Sequence, residues 1–531
     1  MMLAVLLPLA SSLKSFSLTS FSERLSQKKK RQTFLGRQQV GLSVAGVMRS
    51  SSQWRPWRCL GRPRPLNSAL TALRSPKPNQ TARKQTSYFN SSSDPQWRCS
   101  SHTSSACESQ VVVLAGPTGV GKTEVSIALA RRLYEATGRG AEVISADSVQ
   151  VYQGLDVGSR KLCGLERARL ERECSLPHHL IDVLSPREQY TAGDFYEQAS
   201  KKCGEVLSRN RTPIVVGGTG FWLRWLVSGR PATPRSDKRA RDRARSMIEQ
   251  ARHPGLGGAV GDDAEWARAT ALLRDAGDPE TARRLNRNDY FRLERALEVV
   301  IRTGKPMRDH LAGGGNRGGK GLDLRCFFLH PPSRLGLYRK LDASCASMVE
   351  GGLLRECGDL LDLGLEPGTS TSTNAVGYRQ FMEYLLLERG RFVAQEEGGA
   401  RQPWDPSEAD FLLAFLEFQK QTRRLAQDQL TWFRNEPKFE WVEVAAREGG
   451  GVEEVAGRIL GRAMEAEAES GPREWDNRGK GYLTRAEERE LKGYGGSAEG
   501  LVNAQTGELR QEIRDQIREQ VVKVGGGVGP G

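Results

Sequence analysis

Acidic residues are nearly missing from the start of this 531-residue chain. Residues 1–105 hold 17 Lys and Arg against two acids, Glu23 and Asp94, whereas the remainder carries 62 of each sign. The formal net charge of +15 therefore belongs to the N-terminal segment, and the pI of 9.5 says little about a nucleic-acid surface elsewhere. Cysteine is sparse: nine residues, with no C-x-x-C pair and none after Cys357, so neither a disulfide framework nor a zinc site is indicated. The six histidines have no metal-ligand spacing, since adjacent His178 and His179 cannot readily turn both rings to one ion from an extended segment. Long hydrophobic runs are also missing. The apolar start MMLAVLLPLA is far too short to span a bilayer and lacks the charged n-region of a secretory signal, although it could form a short h-region.

What residues 1–108 do have is Ser, Thr, Arg and Lys with scattered Pro, too few periodic apolar residues for a core, and hence the composition of an organelle transit peptide or disordered segment. That composition predicts a chloroplast or mitochondrial address and does not choose between them. A monomer with no stable membrane association is expected.

Order begins near Gln110. VVVLAGPTGVGKT (111–123) reads as a β-branched strand and a glycine turn, and Val125, Ile127, Leu129 and Leu133 continue it as a helix buried against a sheet. AEVISADS (141–148), TPIVVGGTG (212–220) and LRCFFLHPP (324–332) are further strand candidates, with a helix in TAGDFYEQASKKCGEVLSRN (191–210). Alternating strands and helices predict an α/β fold: a parallel P-loop sheet flanked by helices, its ligands at the carboxyl ends of the strands. Residues 236–284 are Arg-, Ala- and Glu-rich, broken by HPGLGG, and contain no strand; they predict an all-helical insert domain between core segments 109–235 and 285–442. Residues 443–531 are Gly- and Glu-rich and read as a low-complexity tail dispensable for chemistry. Within it, Asp476 to Glu487 has the first Asp, sixth Gly and twelfth Glu of an EF-hand loop. Arg478 and Lys480 stand where oxygen ligands belong, which argues against calcium.

The densest chemical signal is Gly116-Pro117-Thr118-Gly119-Val120-Gly121-Lys122-Thr123, which matches G-x-x-x-x-G-K-[ST] between strand and helix. Glycines let backbone N–H groups turn inward around phosphate oxygens, the helix start adds partial positive charge, Lys122 neutralises the terminal phosphate, and Thr123 can ligate Mg²⁺. The alternative, a connecting turn with no ligand, has to explain why every constraint of the motif is met. The loop does not say which phosphate compound binds. Asp147, at the end of the second strand candidate, can be a magnesium ligand, a base for an incoming nucleophile, or a helix N-cap, and spacing leaves all three open.

GPTGVGKT, SADSVQVYQGLDVGSRK, PHHLIDVLSPREQYTAGDF, VVGGTGFWLR, DPETARRLNRNDYFRLERALEV, TGKP, AVGYRQ and LTWFR occur in an order that resembles the tRNA dimethylallyltransferases (tRNA isopentenyltransferases), across about 110–440. The resemblance, closer to the bacterial and organellar type, implies transfer of a dimethylallyl group from dimethylallyl diphosphate to N6 of the adenosine 3′-adjacent to the anticodon of tRNA. It implies residues 116–123 as the diphosphate site, with Lys122, Thr123 and Mg²⁺ stabilising the departing anion. Asp147 would act on the adenine amine, and Thr219 and Arg224 would touch the diphosphate or the flipped base. Ser148, Val149 and Gln150 follow Asp147 in a stretch that contacts RNA. Arg292, Arg295, Arg379, Gln380 and the insert are further tRNA candidates, although each arginine is equally explained as a solvated helix face. His178 and His179 are expected to be structural. The chain departs from the family at Lys340 and Ser344, at Gln427 and Asp428, and at Trp222, and any role of the second missing arginine needs a substitute. Prenylation of free adenine nucleotides is an alternative that the insert and LTWFR disfavour. A P-loop ATPase or RNA-binding regulator that has lost transfer is another, motivated by Ser344 and Asp428.

Overall fold

The computed structural model describes residues 110–253, 262–312, 322–398, 404–444, 451–465, 485–498 and 500–523. The expected transit segment 1–108 and nearly all of the EF-hand-like loop at 476–487 lie outside them.

Six parallel strands form one sheet: β1 (Gln110–Ala115), β2 (Ala141–Ala146), β3 (His178–His179), β4 (Thr212–Gly217), β5 (Asp323–His330) and β6 (Glu440–Glu443), in the order β3-β2-β4-β1-β5-β6. Every residue of β1, β2 and β4 is buried, because helices cover both faces of the sheet. β1 shows the alternation directly. Val111, Val113 and Ala115 enter the larger core cluster, with Phe195, Phe381 and Phe415. Val112 and Leu114 point the other way, toward Val125, Leu129 and Leu133 of the helix Lys122–Thr137.

Register positions the site. Ala115 pairs with Gly217, and Gly217 with Ala146. Three strands thus end level, so the loops beginning at Gly116, Asp147 and Gly218 leave from one edge of the sheet. Pairing β1 with β4 on one side and β5 on the other makes this edge the crevice expected of an open α/β sheet.

The helices Lys238–Arg252, Asp262–Asp275 and Pro279–Arg284 form the insert, closed around Ala244, Ile248, Ala269 and Leu273. The helix Tyr290–Thr303, which the sequence assigns to the core segment starting at 285, contributes Leu293, Ala296, Leu297 and Val300 to the same cluster. Its apolar face packs against the helices Lys238–Arg252 and Asp262–Asp275, so the helical unit extends beyond residue 284.

Residues after 442 also differ from a low-complexity tail. The helix Gly451–Met464 buries Val455, Ala456, Ile459 and Ala463 against the P-loop helix, and Glu453 pairs with Arg131 (2.5 Å) and Arg132 (3.2 Å). The helix Gln511–Val522 buries Ile513, Ile517 and Val521 in the larger core, where the Gln520 carbonyl accepts from Arg389 Nε at 3.0 Å. Apolar residues four apart suffice to bury one helical stripe whatever the surrounding glycine and glutamate content. Among the described residues no helix is long and apolar enough to cross a membrane.

Candidate active site

The loop 116–121 leaves β1 and turns into the helix Lys122–Thr137 through two left-handed glycines, Gly119 (φ +76°) and Gly121 (φ +104°). A Cβ on Gly119 would stand 2.7 Å from Leu341 Cδ2 on the helix Arg334–Glu350, so a side chain there would have to displace Leu341 and hold a left-handed backbone. Lys122 folds over the loop and donates from Nζ to the carbonyls of Gly116 (3.0 Å) and Pro117 (2.9 Å). Burial lowers its pKa to about 8, with Asp147 and then Glu124 partly opposing the shift. The loop offers backbone N–H groups and one half-buried cation, the equipment for an oxyanion.

Asp147 begins the neighbouring loop. Its Oδ1 accepts from the N–H of Val149 (2.9 Å) and of Gln150 (3.3 Å), which closes an Asx turn; no helix begins there, so Asp147 is not a helix N-cap. No hydrogen bond among the described residues uses its other oxygen, and its charge acts on Lys122. Ser148 N–H donates to Thr219 Oγ1 at 3.2 Å, which ties the β2 and β4 loops together. Gln150 is engaged at both ends: Oε1 accepts from Ser145 Oγ (3.0 Å) and Nε2 donates to the Ser159 carbonyl (3.3 Å).

A residue not singled out from sequence completes the frame. Gln429, on the helix Glu408–Arg434, accepts from Thr118 N–H (2.9 Å) and donates from Nε2 to the Gly218 carbonyl (3.0 Å). It clamps the phosphate loop to the β4 loop across a sequence separation of 311 residues. Its only signal was its place two residues before TWFR.

With this frame established, the family model described as IPP transferase matches residues 150–436, more than half of the chain, and the model described as isopentenyl transferase matches residues 109–175. The chain belongs to the IPP transferase family. Its relatives include tRNA dimethylallyltransferase 9 of Arabidopsis thaliana, 37% identical over 63% of this chain and 72% of the relative. The tRNA dimethylallyltransferase of Protochlamydia amoebophila is 34% identical over 63% of this chain and 84% of its own length. A solved eukaryotic dimethylallyltransferase, described as acting on tRNA, shares the fold with a TM-score of 0.51 at 21% identity, covering 76% of this chain and 91% of that one.

In this IPP transferase the sequence-predicted residues divide into two groups. Residues 116–123, Asp147, Ser148, Val149, Gln150 and Thr219 meet at the strand-end crevice. Arg224 lies on the helix Gly220–Ser228, where Nε donates to Glu436 Oε1 (2.6 Å) and the guanidinium stacks 4.2 Å over the Trp432 ring. The other tRNA candidates sit elsewhere. Arg292 is exposed and pairs with Asp289 at 2.6 Å. Arg295 bonds the Pro234 carbonyl and buried Glu298 (2.8 Å), bracing the helix to the irregular segment that enters the insert. Arg379 is exposed beside Glu383 (3.0 Å), while Gln380 caps its own helix by accepting from Gly377 N–H at 2.8 Å.

The departures are equally concrete. Trp222 is buried, stacked on Phe195 with centroids 4.7 Å apart, and Ser344 is buried, while Lys340, Gln427 and Asp428 are exposed. His179 Nε2 meets Glu142 at 2.6 Å at the sheet edge. His178 Nδ1 donates to the Leu176 carbonyl (3.0 Å), and burial lowers its pKa to about 4, leaving a neutral ring that lines a small cavity with Thr123, Ser126, Ser145 and Gln150.

Proposed function

We infer that this chain transfers the dimethylallyl group of dimethylallyl diphosphate to N6 of the adenosine 3′-adjacent to the anticodon in tRNA, releasing diphosphate. The observation that carries the reading is the frame in which Gln429 and the Ser148–Thr219 hydrogen bond lock the phosphate loop beside Asp147. A strand-end carboxylate beside the loop suits a magnesium ligand as well as a base for an acceptor amine, and the family match favours the base.

The residues divide the reaction between them. As the allylic C–O bond breaks, its electron pair stays on diphosphate, which residues 116–123 receive through N–H groups and the Lys122 ammonium. The N6 lone pair forms the new C–N bond, and an N6 proton passes to Asp147, whose unengaged oxygen is available for it. Thr219 holds the Asp147 loop in place through Ser148. Arg224, balanced by Glu436, lies one helical turn further out and suits the RNA more than the diphosphate. The exposed Arg292 and Arg379 suit tRNA phosphates, whereas Arg295 and Gln380 support the elements that carry them. Thr123 would hold Mg²⁺: its hydroxyl enters no hydrogen bond among the described residues and follows Lys122 at the helix start. The ion, when bound, would neutralise diphosphate charge.

The acid-poor N-terminal segment supports an organellar location, tested by whether residues 1–108 carry a fluorescent protein into chloroplasts or mitochondria. The activity is tested by supplying magnesium and labelled dimethylallyl diphosphate with unmodified tRNA, AMP or no acceptor, and ATP separately. Label in tRNA is expected. Equal label in AMP, or ATP turnover without any transfer, would displace this reading.

A further inference from the structure

The helix Gly220–Ser228 begins where the Ser148–Thr219 hydrogen bond ties the crevice loops together, and its two faces differ. Trp222, Leu223, Leu226 and Val227 are buried and anchor it to the larger core. An outward face with nothing to bind is ordinarily polar. Here it carries Phe221, Arg224 and Trp225, residues three and four apart that stand side by side. Phe221 is 46% exposed, and its ring centroid lies 5.0 Å from that of Trp225 and 6.5 Å, edge-on, from that of Trp432.

Distances tie this cluster to the frame of the site. A Cβ on Gly220 would stand 2.4 Å from the Trp432 indole, so that ring lies against the turn leading out of Thr219. A Cβ on Gly218 would meet the Gln429 amide at 2.4 Å. Gln429 and Trp432, three apart on one helix, therefore cover Gly218 and Gly220 in succession. The first clamps the phosphate loop, and the second starts an aromatic surface that Phe221 and Trp225 continue. Two cations border it. Arg224 lies 4.2 Å over the Trp432 ring and Arg230 6.0 Å over that of Trp225, held in place by Glu436 and Glu197 respectively.

Aromatic rings with guanidinium planes among them are the equipment that holds unstacked bases, since every base offers a π-face and its phosphates lie within reach of arginine. An acceptor adenosine has to leave its stack to reach the crevice, and each neighbouring base then lacks a partner on one side. We propose that Phe221, backed by Trp225 and Trp432, stacks on an unpaired nucleobase next to the target adenosine and so helps select a single-stranded RNA loop. This rests on the transferase reading above for the identity of the acceptor, but the contact can be measured without transfer.

Fluorescence anisotropy of end-labelled unmodified tRNA, with no prenyl donor present, is measured for the full chain and for Phe221→Ala, Phe221→Leu and Phe221→Tyr. Thermal midpoints check folding, and calorimetry follows dimethylallyl diphosphate with magnesium. Phe221→Ala should weaken tRNA binding about 5- to 100-fold, the usual worth of one stacked base. Phe221→Leu should fail nearly as badly, because it fills space without a π-face, and Phe221→Tyr should bind as the native chain does. A blunt RNA duplex and the donor should bind all four proteins alike. Leucine as good as phenylalanine, unchanged tRNA affinity in Phe221→Ala, or a loss of donor affinity in place of tRNA affinity would overturn the proposal. Should Phe221→Ala not fold, the leucine and tyrosine variants decide it. Ring-dependent tRNA binding without prenyl transfer would keep the contact and sink the transferase reading. Native transfer and unaltered tRNA affinity in all three variants would do the reverse.

Discussion

Thr118 donates its backbone N–H to the side-chain oxygen of Gln429 at 2.9 Å, and through that contact a helix near the end of the core holds the phosphate loop in shape. The same amide donates to Gly218, so both groups of one side chain are used. Replacing Gln429 with Ala should lower the single-turnover transfer rate roughly 10- to 100-fold through misplacement of the two loops. It should also cost about 1–3 kcal/mol of stability from the unpaired groups left behind. Gln429→Glu keeps an acceptor for Thr118 and loses the donor to Gly218, so an intermediate defect is expected. Rapid-quench kinetics and denaturant titration separate the two effects.

Asp147 has two candidate jobs, and one substitution tells them apart. Asparagine preserves an oxygen for the N–H groups of Val149 and Gln150 but cannot take a proton. Asp147→Asn should therefore fold with a nearly native thermal midpoint and lose about 10²-fold or more in the chemical step. A native single-turnover rate would reduce Asp147 to holding its turn.

The pKa of Lys122 lies near 8 in the free protein because burial penalises its charge. Below that value the ammonium is present to meet the anion; as pH rises through it, the neutral amine predominates and affinity for diphosphate should fall. Binding near pH 8 should consequently draw in a proton. Calorimetry in buffers of different ionisation enthalpy detects that uptake, and Lys122→Gln should abolish this part of it. Equal proton uptake by the two proteins would contradict the assignment.

Ile517 is fully buried where the helix Gln511–Val522 packs on the larger core. Ile517→Ala should destabilise the fold by about 2–5 kcal/mol, as expected for a large-to-small change in a core. Denaturant unfolding of the full chain measures it. A loss below the error of the measurement would return this helix to the status of a dispensable tail.

Exposed and buried arginines of the tRNA candidates should behave differently. Arg292→Ala and Arg379→Ala should each weaken tRNA binding and reduce the salt dependence of log K by roughly one phosphate contact. Arg295→Ala should instead lower stability, because the buried Glu298 carboxylate keeps Ser236 and Asp237 but loses its cation. Filter binding across a salt series, set beside thermal denaturation, distinguishes the two outcomes.

Much of this protein is written locally. The run Gly116 to Thr123 specifies a phosphate loop because its glycines, lysine and threonine act within one turn of chain, and the buried strands before and after it announce a parallel sheet through their β-branched composition. The ordered motifs from 110 to about 440 indicate the family in the same way, and the acid-poor start is a matter of composition alone. Tertiary structure decided what depends on residues far apart. Gln429 reaches Thr118 across 311 positions, Ile517 finds a core that its Gly- and Glu-rich surroundings conceal, and Leu293 joins the insert instead of the sheet. It also decided which charges are engaged: Arg224 and Arg295 are tied to buried carboxylates, while Arg292 and Arg379 lie exposed. A side chain's identity says what it can bind, but its partners are chosen by register, packing and burial, which exist only once the chain has folded.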